Sequence, residues 1–190
     1  MTTLLISHQL DPLQEKQMES LDQNSSSLKQ RTISPEEIVL HKDKYCSDGD
    51  IKSWVLAFQN NEMIGKIAIF SREITFKNQI IILGGIGKVK VRDDQRKKGI
   101  ATKMMNAAME ELHKINCDVA FLCTDISNQF LVSFYNKFGF TLLNKNYTYL
   151  SKSGARYIEP DGMLAPVKSL ELFGAILMDE DALDIGVGNW

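Results

Sequence analysis

Val89-Lys90-Val91-Arg92-Asp93-Asp94-Gln95-Arg96-Lys97-Lys98-Gly99-Ile100-Ala101-Thr102-Lys103 joins an alternating strand to an amphipathic helix through a short basic turn. After Gly99, apolar residues recur at Ile100, Met104, Ala108, Leu112 and Ile115, the spacing of one buried helical face. Lys103, Glu110, Glu111 and Lys114 fill the opposite face. The first turn of such a helix offers backbone N–H groups without intrahelical partners and the positive end of the helix dipole. Gly99 and Ala101 are too small to hold an anion off the backbone. The turn is therefore a candidate pyrophosphate cradle and points to a nucleotide-bearing cofactor.

Downstream, residues 119–123 form a short apolar run suited to a strand buried on both faces, and residues 128–137 read as a short helix ending at Gly139. The order is strand, helix, strand, helix, strand. Phe134, Phe138 and Phe140 read as core residues and Gly139 as a left-handed helix cap. Tyr135 differs from them, because a buried phenol needs a polar partner or water.

Arg96-x-x-Gly99-x-Ala101, set between strand and helix, resembles the acyl-CoA-binding motif of the GCN5-related N-acetyltransferase superfamily: Gln or Arg, two residues, Gly, one residue, Gly or Ala. Asn128-Gln129-Phe130-Leu131-Val132-Ser133-Phe134-Tyr135-Asn136-Lys137-Phe138-Gly139-Phe140 is similar to that superfamily's second signature, an Asn followed by Phe-Tyr, a basic residue and Gly-Phe. The two motifs occur in the family's order. The resemblance covers residues 50–142 well and the first 50 by element order alone.

The resemblance implies an α/β fold with a central mixed, mostly antiparallel sheet flanked by helices, in which the fourth and fifth strands splay apart to admit the pantetheine arm. Here those strands are residues 84–91 and 119–123. It implies acetyl-CoA as acetyl donor, no metal, and direct attack of an amine on the thioester. It sets the backbone near Val89 and Val91 against the acyl carbonyl and the pantetheine amides. The amides of Arg96, Lys97, Lys98, Gly99, Ile100, Ala101 and Thr102 take the pyrophosphate, and the Arg96, Lys97 and Lys98 side chains add charge. Asn128 fixes the cofactor arm while also able to cap its helix. Tyr135 is the expected general acid, since a phenol of ordinary pKa ~10 is protonated at neutral pH and can donate to sulfur.

Some members of the superfamily carry a Glu on the fourth strand, but Gly87-Lys88-Val89-Lys90-Val91 offers no carboxylate. Deprotonation then falls to an ordered water, a backbone carbonyl or a distant acid. Lys88 and Lys90 are expected to point away from the face of Val89 and Val91. Glycines 84, 85 and 87 mark a bulge, a close backbone approach or a flexible loop.

Composition agrees with one domain spanning residues 1–190. The chain has 190 residues, 44% hydrophobic and 24% charged, enough for a single substantial core and unlike a disordered or fibrous chain. No apolar run approaches the ~18 residues of a membrane span, and the first residues lack the basic start of a signal peptide. Cys46, Cys117 and Cys123 are odd in number and lack metal-ligand spacing, so reduced thiols and a cytoplasmic location are expected, with Cys117 and Cys123 as packing residues. A net charge of −2 and a short basic cluster argue against nucleic acid. A homodimer fits the resemblance, though no interface is legible.

Toward the N-terminus, residues 4–8 suit an edge strand, and Asp11-Pro12 starts a helix that polar residues then interrupt. Asn24-Ser25-Ser26-Ser27 reads as a loop. Ser34-Pro35-Glu36-Glu37 is a capping box opening a helix to about Lys44. Residues 51–59 and 63–71 form one antiparallel hairpin, and residues 74–76 and 79–83 another.

The tail, residues 143–190, is the expected acceptor side and completes the sheet. Its ending, Ala182-Leu183-Asp184-Ile185-Gly186-Val187-Gly188-Asn189-Trp190, with Tyr157-Ile158-Glu159-Pro160-Asp161-Gly162, is similar in layout to aminoglycoside 2′-N-acetyltransferases. That weaker resemblance implies that Asp184 and Trp190 contact an aminosugar or polyamine. The favoured expectation is thus an N-acetyltransferase for a small-molecule amine. The alternatives are a noncatalytic acyl-CoA sensor and an acetyltransferase for a protein or peptide amine.

Overall fold

In the computed structural model, residues 1–23 and 34–190 are described, so the expected loop at 24–27 lies outside the described residues. The chain opens with β1 (Thr2–Ser7), which pairs antiparallel with β2 (Ile51–Gln59) at the sheet edge. Between them lie α1 (Pro12–Gln23) and α2 (Pro35–Lys44). Asp11 caps α1 by accepting from the Gln14 amide at 2.8 Å, and Met18 and Leu21 bury one side, so α1 runs past the polar residues expected to interrupt it. The capping box at α2 forms: Ser34 Oγ accepts from the Glu37 amide and Glu37 accepts from the Ser34 amide.

β3 (Glu62–Phe76) and β4 (Gln79–Val91) run unbroken, so the two expected hairpins merge into one meander of three strands. The break expected at Arg72-Glu73 does not occur, because these residues pair with Leu83 and Ile82 and keep the ladder intact. The reversals are two-residue turns with positive φ at both positions: Asn60 and Asn61 (52° and 63°), then Lys77 and Asn78 (47° and 65°). That backbone matches the strand twist.

α3 (Ile100–Lys114) follows, then β5 (Val119–Cys123), α4 (Gln129–Asn136) and β6 (Thr141–Leu142). The tail adds β7 (Tyr147–Leu150), β8 (Arg156–Glu159), β9 (Gly162–Pro166), α5 (Leu170–Met178) and β10 (Leu183–Val187). Seven strands make one sheet in the order β1-β2-β3-β4-β5-β9-β6, in which only the β4/β5 pair is parallel. A second sheet has the order β10-β7-β8. The fold is thus the mixed, mostly antiparallel sheet with flanking helices.

The large sheet buries a core on each face. On one, Ile100, Met104, Ala108 and Leu112 of α3 and Val132 and Tyr135 of α4 pack against Val55, Ile67, Ile69 and Ile86. On the other, α1, α5 and the small sheet cover Trp54, Phe70, Leu83 and Phe121. Glu111 departs from the solvent face expected of it. Its side chain is 6% exposed, with Lys114 Nζ and His8 Nε2 each 3.9 Å away, because β1 closes over that flank of α3. Among the described residues no helix is long and apolar enough to cross a membrane.

Candidate active site

β4 and β5 pair over three residues only, Leu83↔Val119, Gly84↔Ala120 and Gly85↔Phe121, and then part. Asp118 pins the closed end of this fork: its Oδ2 accepts from the Ile82 amide at 2.7 Å and its own amide donates to the Ile82 carbonyl at 2.8 Å. Beyond Gly85, β4 keeps its ladder with β3 but has no β5 partner, so its other edge faces the gap. Parted parallel strands leave backbone N–H and C=O groups in need of partners, which the amides of a pantetheine arm can supply.

A bulge falls inside the open part of the fork. Ala68 pairs with Gly87 and Lys66 with Lys90, so Lys88 and Val89 together oppose Ile67, and Lys88 has φ 51°. An extra residue in one strand re-aims the local amide groups. The three glycines upstream are not the bulge but sites of close approach. A Cβ on Gly85 would lie 2.3 Å from the Trp190 indole, and one on Gly87 would lie 3.1 Å from the Trp190 main-chain carbon. Val89 and Val91 turn toward the α3 core. Lys90 points to the opposite face as expected, yet is not solvated: its Nζ and that of Lys66 meet the Asp22 carboxylate at 2.9 and 2.6 Å. Burial pushes the Asp22 carboxyl up, but the hydrogen bonds from Lys66 and Lys90 outweigh it and hold the group below its usual range.

Residues 96–102 lie across the mouth of the fork. Lys97 (φ 62°) and Gly99 (φ 76°) both take left-handed backbone, and α3 begins at Ile100. Residues 96–99 and Thr102 are exposed, Ala101 is half-buried and Ile100 is buried. Nothing lies within 4 Å of the space a Gly99 Cβ would occupy, so the α3 N-terminus has open approach and could hold an anion. Two of the three basic side chains are engaged within the chain. Arg96 Nη2 meets Asp93 Oδ1 at 2.6 Å, and Lys98 Nζ donates to the Asp94 carbonyl and Gln95 Oε1.

Asn128 caps α4, its Oδ1 accepting from the Phe130 amide at 3.1 Å. Two turns on, Tyr135 is 8% exposed and packs edge-on against Phe134 and Phe140. Burial pushes its hydroxyl up to about 12, with the neighbouring Cys123 adding to the shift. It stays protonated at any physiological pH, as a proton donor to a thiolate must. Burial likewise pushes the Cys123 thiol up to about 11, aided by the charge of Asp161, which fits a packing thiol rather than a nucleophile.

The tail reaches the fork from the face opposite α3 and α4. Trp190 is 7% exposed: its indole stacks on Phe70 at 5.5 Å, and its Nε1 donates to the Phe121 carbonyl at 3.3 Å. Its main-chain oxygen accepts from Cys123 Sγ at 3.1 Å, so Trp190 spans the fork from Gly87 to Cys123. Arg72 holds this segment. Its Nη1 donates to the carbonyls of Ile185, Val187 and Gly188 at 2.6–3.0 Å, and its guanidinium lies 4.1 Å from the centre of the Trp190 ring. Asp184 is not brought there. Its carboxylate meets Arg156 Nη1 at 3.1 Å and the Gly186 amide at 2.9 Å, beside Ile74 and Ile80 near the far turn of β3 and β4.

Several residues of this face carry no signal in the sequence. Tyr147 is fully buried, donates to Asp161 Oδ1 at 3.1 Å and accepts from Asn189 Nδ2 at 3.0 Å. Asn189 bridges α2 and the tail, its amide donating to Lys44 O and its carbonyl accepting from Cys46 N. Tyr45, at the end of α2, has its hydroxyl pushed up by burial and then by Cys123, with Asp161 and Glu159 adding to it. Tyr147 is an unremarkable tyrosine and Asp161 a turn residue, and no spacing marks them as a pair. Among the described residues no group of three or more His, Cys, Asp or Glu is placed to hold a metal.

A forked parallel pair, a bulge inside the fork, a helix N-terminus at its mouth and a buried tyrosine beside it make up the candidate active site. The family model described as Acetyltransferase (GNAT) domain matches residues 9–143. The chain belongs to that family. It is 28% identical over 71 residues to N-alpha-acetyltransferase 30 of Saccharomyces cerevisiae, a match covering 37% of this chain and 40% of that protein's length. In structure it is similar to the ribosomal-protein-S18-alanine N-acetyltransferase of Escherichia coli (TM-score 0.52, 17% identity, 90% of this chain and 96% of that one). It is also similar to a chain of the NatC complex bound to Gag peptide and CoA (TM-score 0.54, 20% identity, 86% and 98%).

Proposed function

We propose that the protein transfers the acetyl group of acetyl-CoA to the primary amine of a small molecule of the aminosugar or polyamine class. The observation that carries this reading is the tail across the acceptor side of the fork. Trp190 covers Gly85 and Gly87, and Asn189 already pairs with the main chain of Lys44 and Cys46. An incoming peptide finds that backbone edge occupied, which disfavours binding by strand addition. A slender amine needs no such edge.

In this reading the amides at residues 96–102 hold the pyrophosphate, Asn128 and the open edge of β4 near Val89 and Val91 position the arm, and Trp190 walls the acceptor side. Tyr135 donates the proton that the departing thiolate needs. The likeness to N-alpha-acetyltransferase 30 favours a second reading, an amine at a peptide N-terminus.

Release of CoA thiol from acetyl-CoA against aminoglycosides, polyamines, amino acids and short peptides tests both. Acceleration by small amines, with peptides inert, is expected. Peptides turning over faster than every small amine would replace the first reading with the second. Tight acetyl-CoA binding with no acceptor at all would point to a sensor.

A further inference from the structure

We propose that Asp161, on the turn between β8 and β9, is the general base that takes the proton from the acceptor ammonium, with Tyr147 as its positioning residue. This inference rests on the acetyl-transfer reading above.

The fourth strand supplies no carboxylate, so the base must come from another element, and the tertiary structure brings one to the tip of the fork. Asp161 is half-buried, and its carbonyl accepts from the Thr124 amide at 3.1 Å, directly after β5 ends. The next residue, Gly162, pairs with Cys123, the last residue of that strand. The carboxylate is held on the acceptor face: Oδ1 takes the Tyr147 hydroxyl at 3.1 Å, leaving Oδ2 as the oxygen to meet an amine. Tyr147 is itself fixed by Asn189, whose Oδ1 accepts from Cys123 Sγ and from the Trp190 amide. The network therefore runs from Asp161 to the same tail residue that walls the fork.

Asp161 and Tyr135 share one neighbour. The charge of Asp161 reaches Cys123, and Cys123 reaches Tyr135. Tyr135 belongs to the α3/α4 core and Tyr147 to the core on the opposite face. An acid and a base thus flank the tip of β5 from its two sides, so that the amine can lose a proton to one group while the leaving thiolate gains one from the other. The ionisable groups facing Asp161 are Tyr147 from β7, Cys123 from β5 and Tyr45 from α2, with the Lys44–Glu159 ion pair beyond Tyr45. Only Lys44 among these is cationic at neutral pH, and Glu159 Oε1 holds it at 3.1 Å.

The proton inventory closes. The ammonium gives one proton to Asp161, and the neutral amine forms the C–N bond as the C–S bond breaks. The thiolate takes the hydroxyl proton of Tyr135. The second proton of the attacking nitrogen returns to the tyrosinate through water, and Asp161 releases its proton to solvent. One amide, one CoA thiol and one proton result.

The test measures kcat/KM for an accepted amine from pH 6 to 10, together with acetyl-CoA affinity by calorimetry. Asp161→Asn is expected to lower kcat/KM at pH 7 by about 10²-fold with acetyl-CoA affinity unchanged. The deficit should shrink steadily as pH rises toward the pKa of the amine, because free base then arrives without help. Asp161→Glu should restore most of the rate. Tyr147→Phe releases the carboxylate from its position and should lower kcat/KM at pH 7 with acetyl-CoA affinity unchanged, by a deficit that shrinks with rising pH in the same way. A deficit that is constant across pH, or wild-type rates in Asp161→Asn, overturns the assignment. Should Asp161→Asn fail to bind acetyl-CoA, an unchanged kcat/KM in Tyr147→Phe overturns it instead. Absence of any accepted amine for the unaltered protein would refute the acetyl-transfer reading rather than this one.

Discussion

The indole N–H of Trp190 donates to the carbonyl oxygen of Phe121 at 3.3 Å, at the register pair Gly85↔Phe121 where β4 and β5 part. The ring lies close over Gly85, so the crotch of the fork is closed by a residue more than 60 positions away from either strand. This contact is possible only because Gly85 lacks a side chain. Gly85→Ala would set a Cβ 2.3 Å from the indole. Because the clash is with a stacked ring, the tail must move, at a cost of ~1–3 kcal/mol. Denaturant unfolding should show the loss, and the acceptor KM should rise more than the acetyl-CoA Kd. Equal changes in both would mean that the tail does not wall the acceptor side.

Arg72 is the residue on which the tail hangs. Arg72→Ala removes donors to three carbonyls and the cation over Trp190 together. A loss on the order of 2–4 kcal/mol is expected, since hydrogen bonds to a charged group each contribute ~1.5–3 kcal/mol. Proteolysis should open the chain first within the segment after β10. Arg72→Lys should recover little, because a single ammonium cannot span the three carbonyls.

At the cradle, Gly99→Ala meets no neighbour, and its effect comes from φ 76° alone. Left-handed backbone costs a residue with a Cβ ~1–2 kcal/mol. Isothermal titration should show acetyl-CoA affinity reduced by roughly tenfold, the equivalent of 1.4 kcal/mol, with acceptor KM unchanged. Unaltered donor affinity would show that the cradle lies elsewhere.

Tyr135→Phe should reduce turnover by about 10²-fold with acetyl-CoA affinity retained, a split read by comparing kcat with the Kd from titration. The same variant has a stability signature in alkali. Tyr135 holds its proton in the folded chain to about 12, whereas an unfolded tyrosine ionises near ~10. The raised folded pKa means that its contribution is intact below pH ~10 and is lost as pH climbs from ~10 to ~12, by on the order of 2 kcal/mol. Tyr135→Phe should therefore flatten the decline in stability over that window. An unchanged decline would place the titration on other tyrosines.

How much of this was legible in the sequence differs by region. α3 was readable because an isolated helix face repeats its apolar residues at a spacing set by local geometry, and Gly99 marked its start. The Asn60-Asn61 turn and the Ser34 capping box are likewise complete within a few residues, so their physics is present in the string. The run from β3 to β4 was misread as two hairpins, since polar Arg72 and Glu73 look like a break until their partners across the ladder are known. Glu111 looked solvated because nothing near it in sequence reveals that β1 covers it. The tail fared worst: β7, β8 and β10 are short, and their alternation is too brief to stand out.

The sequence by itself determined the family and the order of elements from α3 to α4, because both rest on patterns among residues close in the chain. Only the tertiary structure decided that the bulge sits at Lys88, that Asp184 stands apart from Trp190, and that Arg72, Asp161, Tyr147 and Asn189 converge on the fork. Those relationships join residues far apart in the chain, such as Arg72 and Gly188, 116 positions from each other. Such convergence is set by sheet order and core packing, which no local spacing of residue types encodes.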